Sequence, residues 1–185
     1  MPERTLHTVS PKEVIRHLGN IAVGFERLPL PPLETGANDS MILSSLQGIV
    51  NRFCNDENGC RVEVSRVESQ DACSDVLNEI NESRKKLLRE HYHEEDEVWF
   101  FVSGHSAFYV RDGDLVYIAV CGPGDLIRIP ARKRHWFDMG TQPSFCALRF
   151  YRTSPGFVGV FTQAASFQGF PFLDDMLGHV ESEEI

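Results

Sequence analysis

His91-Tyr92-His93-Glu94-Glu95-Asp96-Glu97 is the segment from which the chain can be understood. On an extended strand, residues two apart point to the same side. His91, His93, Glu95 and Glu97 therefore share one face, with a local bend free to choose between the carboxylates. Two imidazoles and a carboxylate are a ligand set for iron, nickel, manganese or zinc. His135, which opens a later strand after Pro130, is a fourth candidate. A lone histidine is more often a surface or hydrogen-bonded residue, and His7, His17, His105 and His179 are read that way.

Downstream of this segment the sequence breaks into short apolar runs. Glu97–Val102, Ala107–Arg111, Leu115–Cys121, Leu126–Ile129, His135–Met139 and Cys146–Tyr151 are strand candidates. Turn signals separate them: Ser103-Gly104, Asp112-Gly113-Asp114, Gly122-Pro123-Gly124-Asp125 and Gln142-Pro143. This spacing predicts an all-β barrel or sandwich. Upstream the pattern is mixed. Ser10 and Pro11 suit a helix start, with Glu13 placed to complete a capping box. Gly24–Leu28 reads as a short strand, and Pro29 to Ser40 as a loop. Ile42, Leu46, Ile49, Val50 and Phe53 fall at helical spacing, Val62 and Val64 alternate as in a strand, and a charged helix is predicted within Asp75–Arg89. After Phe167–Phe172 come a short helix and an acidic tail, Glu181–Glu184. The expectation is one domain over 1–185: a mixed α/β part (1–88) packed on a β-barrel core (89–165), then a tail (166–185).

Composition narrows the classes. The 185 residues suffice to bury a core without disulfides. A net charge of -9 and a pI of about 5.2 disfavour a phosphate backbone as partner, and Arg132-Lys133-Arg134 is too short to reverse that. No run approaches the ~18 apolar residues of a membrane span, and the N-terminus does not resemble a secretory signal. The odd number of cysteines (54, 60, 73, 121 and 146) and their scattered spacing are read as five reduced thiols in a cytoplasmic protein.

The spacing of the ligand candidates resembles the cupin signature. His91, His93, Glu97 and Gly104 fit its first motif, H-x-H-x3,4-E-x6-G. Gly124, Pro130 and His135 fit its second, G-x5-P-x-G-x2-H, with Arg132 in place of the inner glycine. The resemblance implies a mainly β fold, a cupin β-barrel (double-stranded β-helix or jelly roll) with peripheral N-terminal helices, a metal in its mouth, and Glu97 as the carboxylate ligand. Glu90-His91-x-His93-x-x-Asp96-Glu97, Phe100-Phe101-Val102-x-Gly104 and His135-Trp136-Phe137-Asp138-Met139-Gly140 look more specifically like bacterial acireductone dioxygenases. That family implies one divalent metal, Fe(II) or Ni(II), on His91, His93, Glu97 and His135. It also implies methionine salvage: O2 cleavage of an enediolone such as 1,2-dihydroxy-5-methylthiopent-1-en-3-one to a 2-keto acid and formate, or an off-pathway route with nickel that releases carbon monoxide.

The same resemblance places substrate contacts at Arg149 and Phe137. A rim arginine in a surface ion pair and ordinary core are their alternatives, and Trp136 is read as core. Two positions depart from the family. Trp99 stands where members carry an arginine that helps hold the substrate dianion, and Leu87 stands where an aromatic is common. Either Arg149 or an arginine of the 132–134 run compensates, or the substrate is another enolisable carbonyl compound. A non-oxidative isomerase or lyase and a non-catalytic binding cupin are the competing classes. Oligomeric state is not legible.

Overall fold

The computed structural model describes residues 8, 10–34, 36–54, 60–152, 158–163 and 169–183. His7 and the side chains of 179–183 lie outside the described residues.

The strands group into two antiparallel five-stranded sheets. One runs β1 (Gly24–Arg27), β7 (Asp125–Ile129), β4 (Glu97–Gly104), β9 (Ser144–Tyr151), β2 (Arg61–Glu68). The other runs β10 (Val160–Phe161), β3 (His91–Tyr92), β8 (His135–Asp138), β5 (Ser106–Asp112), β6 (Leu115–Cys121). The ladders do not close on one another, so the expected barrel is a jelly roll of two facing sheets. All six strand candidates of the β-rich part are strands, each within two residues of the expected bounds.

Alternation sorts each strand into two faces. Trp99, Phe101, Phe108, Phe137, Phe145 and Ala147 pack between the sheets. Val98, Phe100, Val102, Cys146, Leu148 and Phe150 point the other way, under Ile42 of α2 (Asp39–Ser45) and Ile49 and Val50 of α3 (Gln47–Phe53). On the second sheet, Tyr109 and Trp136 point outward beneath Leu173 and Met176 of α5 (Leu173–Glu183). Because both faces are covered, β4 reads as an unbroken apolar run rather than a half-polar one. Trp136 is core, stacked on Tyr109 at 5.2 Å.

Two motif glycines have a backbone reason. Gly104 adopts φ +68, and a Cβ there would lie 1.9 Å from the Ser144 carbonyl oxygen. Gly124 adopts φ +86, with a Cβ 2.5 Å from the Leu28 carbonyl oxygen. Neither position admits a side chain.

Three expectations are corrected. Cys54 and Cys60 form a disulfide, so they are not reduced thiols; the end of α3 and the start of β2 bring their Cα atoms to 4.8 Å. Cys73, Cys121 and Cys146 are free. The helix at α1 (Pro11–Gly19) forms without the predicted capping box, because Ser10 makes no side-chain cap. Thr8 intervenes, accepting from the Ser10 N–H and donating to Glu13. The helical spacing over Ile42–Phe53 is carried by two helices, which meet at Leu46 where the backbone leaves helical geometry (φ -104, ψ 19). No described helix is long and apolar enough to cross a membrane.

Candidate metal centre

Three elements deliver the candidate ligands to one point between the sheets. The charged helix α4 (Ser74–Leu87) ends just before β3, which carries His91, with His93 immediately after it. β3 pairs with β8 through His91 and His135, placing those rings side by side. Glu97 opens β4 on the facing sheet. The ligand atoms of His91, His93 and His135 lie within 4.8 Å of one another, and all three residues are buried. Among the described residues no other group of three or more His, Cys, Asp or Glu side chains converges in this way.

Backbone hydrogen bonds aim the rings. His91 Nδ1 lies 2.7 Å from the Arg89 carbonyl and His135 Nδ1 lies 2.8 Å from the Lys133 carbonyl. Each Nδ1–H donates there, which leaves Nε2 with its lone pair toward the centre, the usual arrangement behind a metal-ligating histidine. Glu97 Oε2 is 2.8 Å from His135 Nε2, and Glu97 Oε1 is 3.8 Å from His93 Nε2. Despite its closeness, the pair Oε2–Nε2 is not aligned as a hydrogen bond. Two buried electron-pair donors that approach without facing each other converge on a third point. That geometry and the donor set fit a divalent cation.

The electrostatics agree. Burial lowers the His91 pKa, and it lowers that of His93 to about 4, so both rings are neutral at physiological pH. Burial alone would raise Glu97, but His135, His93 and Arg149 hold its carboxyl well below the usual range. Burial alone would lower His135, yet the adjacent Glu97 carboxylate outweighs it and the net shift is upward.

The structure separates the two carboxylates that the strand pattern left open. The chain bends at residues 94–95 before β4 begins, and Glu95 accepts the Arg152 backbone N–H at 3.0 Å. Glu97, in the strand proper, faces the histidines. Trp99 follows on the same face and donates its Nε1–H to Glu97 Oε1 at 2.9 Å. Its indole stacks on Phe137 at 5.6 Å and 18°. Arg149, its cross-strand partner on β9, sets its guanidinium 5.4 Å from the indole centroid and reaches Glu63 at 3.4 Å. Arg149 is close enough to lower the pKa values of His91, His93 and Glu97. It thus has both the ion pair of a rim arginine and a charge felt at the centre. Leu87, at the end of α4, packs against the same interior cluster. Arg132 pairs instead with exposed Glu94.

One residue that the sequence reading quoted only as part of the family-like segment, with no role, is structurally important. Glu90 is fully buried beside His91. Its carboxylate accepts from Arg111 Nε and, at 2.8 Å, from Thr162 Oγ1. Its carbonyl accepts from the Thr162 N–H at 2.9 Å. A charged residue before an H-x-H pair carries no pattern that says it will be buried; the signal lies in Arg111 and Thr162, both distant in sequence.

A model of the ARD/ARD' family matches residues 2–158. Acireductone dioxygenase 1 of Nocardia farcinica is 35% identical over 173 residues, covering 94% of this chain and 92% of that one. The acireductone dioxygenase of Synechococcus sp. (strain CC9902) is 38% identical over 174 residues, covering 94% and 90%. That of Parvibaculum lavamentivorans is 42% identical over 159 residues, covering 85% and 83%. Among solved structures, the acireductone dioxygenase from Bacillus anthracis with a cadmium ion in its active centre superposes with a TM-score of 0.71. It covers 86% of this chain and 95% of that one at 24% identity, a likeness of fold.

Proposed function

The chain belongs to the ARD/ARD' family, and on that footing we propose that it is a metal-dependent dioxygenase that cleaves an enediolone with O2. The observation that carries this reading is the buried convergence of His91, His93 and His135 with Glu97 against them. These four residues would hold one divalent metal, Fe(II) in the productive form and Ni(II) as an alternative, since both accept imidazole and carboxylate donors. A metal bound there supplies a Lewis acid and a template for the substrate's enediolate oxygens.

The remaining work falls to side chains already described. Arg149 gives the interior a fixed positive charge, which favours the enediolate over the neutral enediol. The aromatic faces of Phe137 and Trp99, with Leu87, offer apolar surface to the substrate's tail. Burial keeps bulk water from the reacting carbons. With 1,2-dihydroxy-5-methylthiopent-1-en-3-one as substrate the reaction balances: R–CO–C(OH)=CHOH plus O2 gives R–CO–COOH plus HCOOH. Both oxygen atoms of O2 enter the products. The O–O bond and the C=C bond (its σ and π parts) between the two hydroxyl-bearing carbons break, each of those carbons gains one oxygen, and the C–C bond to the ketone stays intact. This is the methionine-salvage step.

A second reading keeps the chemistry and changes the substrate. Trp99 favours it, because its single N–H is already given to Glu97 and its face is apolar. An enediolone with less charge or a bulkier tail would suit that wall. The test is O2 uptake by iron-loaded protein mixed anaerobically with the methylthio enediolone, with formate and keto acid assayed. Rapid uptake with both products in equal amounts supports the first reading. No uptake by folded, iron-loaded protein overturns it and leaves the second.

A further inference from the structure

Glu97 has two carboxylate oxygens, and its neighbours treat them differently. Oε2 lies 2.8 Å from His135 Nε2, while Oε1 stands farther from the rings, 3.8 Å from His93 Nε2. Oε1 accepts the Trp99 indole N–H at 2.9 Å, in a buried site. A buried carboxylate that rotates about its last bond can offer a metal one oxygen or two, and the protein must decide which. Only a donor fixed in direction can do so, because a mobile one would follow the rotation.

The Trp99 ring is held on several sides. Phe137 stacks on it at 5.6 Å, Phe101 lies nearly parallel at 6.2 Å, and Phe108 meets it edge-on at 6.2 Å. The Arg149 guanidinium covers it at 5.4 Å and is itself drawn toward Glu63. These three residues, Trp99, Arg149 and Glu63, are direct cross-strand partners on β4, β9 and β2, so the sheet itself sets the ring's position. A cation over an indole face also withdraws electron density and makes the N–H a better donor.

We propose that Trp99 is a positioning residue: its N–H occupies Glu97 Oε1 and so makes Glu97 a one-oxygen ligand through Oε2. This rests on the reading of the site as a metal centre, and assigns the indole a task beyond lining the substrate space. Losing a hydrogen bond behind a ligand typically costs about 10–100-fold in metal affinity.

The experiment titrates metal-free protein with cobalt(II), following the visible absorption of the bound ion. Two versions are compared with the native chain. One is Trp99→Phe, which keeps an aromatic and removes the donor. The other carries β-(3-benzothienyl)alanine at both tryptophans, which keeps ring shape and replaces N–H by sulfur. The second is informative because Trp136 Nε1, the other site replaced, makes no hydrogen bond in the structure. The proposal expects cobalt to bind roughly 10–100-fold more weakly to both versions, with a changed visible spectrum. Superimposable spectra and dissociation constants within about twofold of native would overturn it, since the indole's bond to Glu97 would then carry no weight. If Trp99→Phe does not fold, the benzothienyl protein decides alone. Failure of the native chain to bind cobalt overturns instead the metal-centre reading beneath it.

Discussion

Arg132 adopts φ +62, a left-handed conformation that an ordinary side chain takes at a cost of about 1–2 kcal/mol. It is the position where the cupin motif has its inner glycine, and the structure gives the reason: the chain must turn here so that the Arg132 N–H reaches the His93 carbonyl at 2.7 Å. The ion pair to Glu94 is exposed and returns about 0–1 kcal/mol. Arg132→Gly should therefore keep or raise the unfolding midpoint, while Arg132→Val, β-branched, should lower stability by about 1–2 kcal/mol in urea denaturation. A marked loss in the glycine variant would mean the Glu94 pair matters more than the backbone. Arg149 makes a different case. If its charge holds the enediolate, Arg149→Met should raise KM by about 10–100-fold, the worth of a charged hydrogen bond, in initial O2-uptake rates. An unchanged KM would confine Arg149 to its bond with Glu63. At this scale the sequence was legible where spacing alone sufficed: His91, His93 and His135 converge as expected. The choice of Glu97 over Glu95 came from the family motif, since alternation continues through both and only the bend at 94–95 separates them.

Strands with turns between them were readable because glycine, proline and aspartate mark where apolar runs stop. β3 and β10 were not, since two residues are too few to show a period. Their place is fixed by tertiary bonds, and Glu90 is the centre of these. It ties β3 to Arg111 of β5 and to Thr162 just beyond β10. Burial would raise its carboxyl, but Arg111 and Thr162 win and the net shift is below the ordinary 4.5. A lowered carboxylate contributes stability that is present above the unfolded pKa and lost as pH falls through the folded one. Glu90→Gln should thus cost about 2 kcal/mol at neutral pH in metal-free protein. The gap to the native chain should close as pH falls below 4.5. Thermal unfolding at several pH values would measure both, and a gap that widens in acid would contradict the assignment. Asp138 plays a similar part elsewhere, joining α4 through Arg84 at 2.8 Å to the Leu173 N–H at the start of α5 at 2.9 Å.

For the whole molecule, the candidate centre links both sheets: His91, His93 and His135 approach from one side and Glu97 from the other. Binding there stabilises the folded state alone, by about 4 kcal/mol at a thousandfold excess over Kd. For a chain of this size that is on the order of 10 °C in Tm. Chelation should lower the midpoint by that much and iron(II) or nickel(II) should restore it, whereas His91→Ala should show no response to either. A native chain equally indifferent to chelator would remove the metal from the account. The Cys54–Cys60 bond belongs to this scale too: cysteine count and spacing argued for free thiols, and only the approach of the end of α3 to the start of β2 pairs them.

Among the described residues the two ladders stay open and leave four strand edges. β1 and β10 are short, and β2 carries Arg61, Glu63, Arg66 and Glu68, which resist the approach of a neighbouring strand. β6, Leu-Val-Tyr-Ile-Ala-Val-Cys over 115–121, has no charge in seven residues, and Leu115 is exposed. Association between copies, in concentrated solution or during refolding, therefore costs least along that edge, and a lysine placed there would be the economical guard against it.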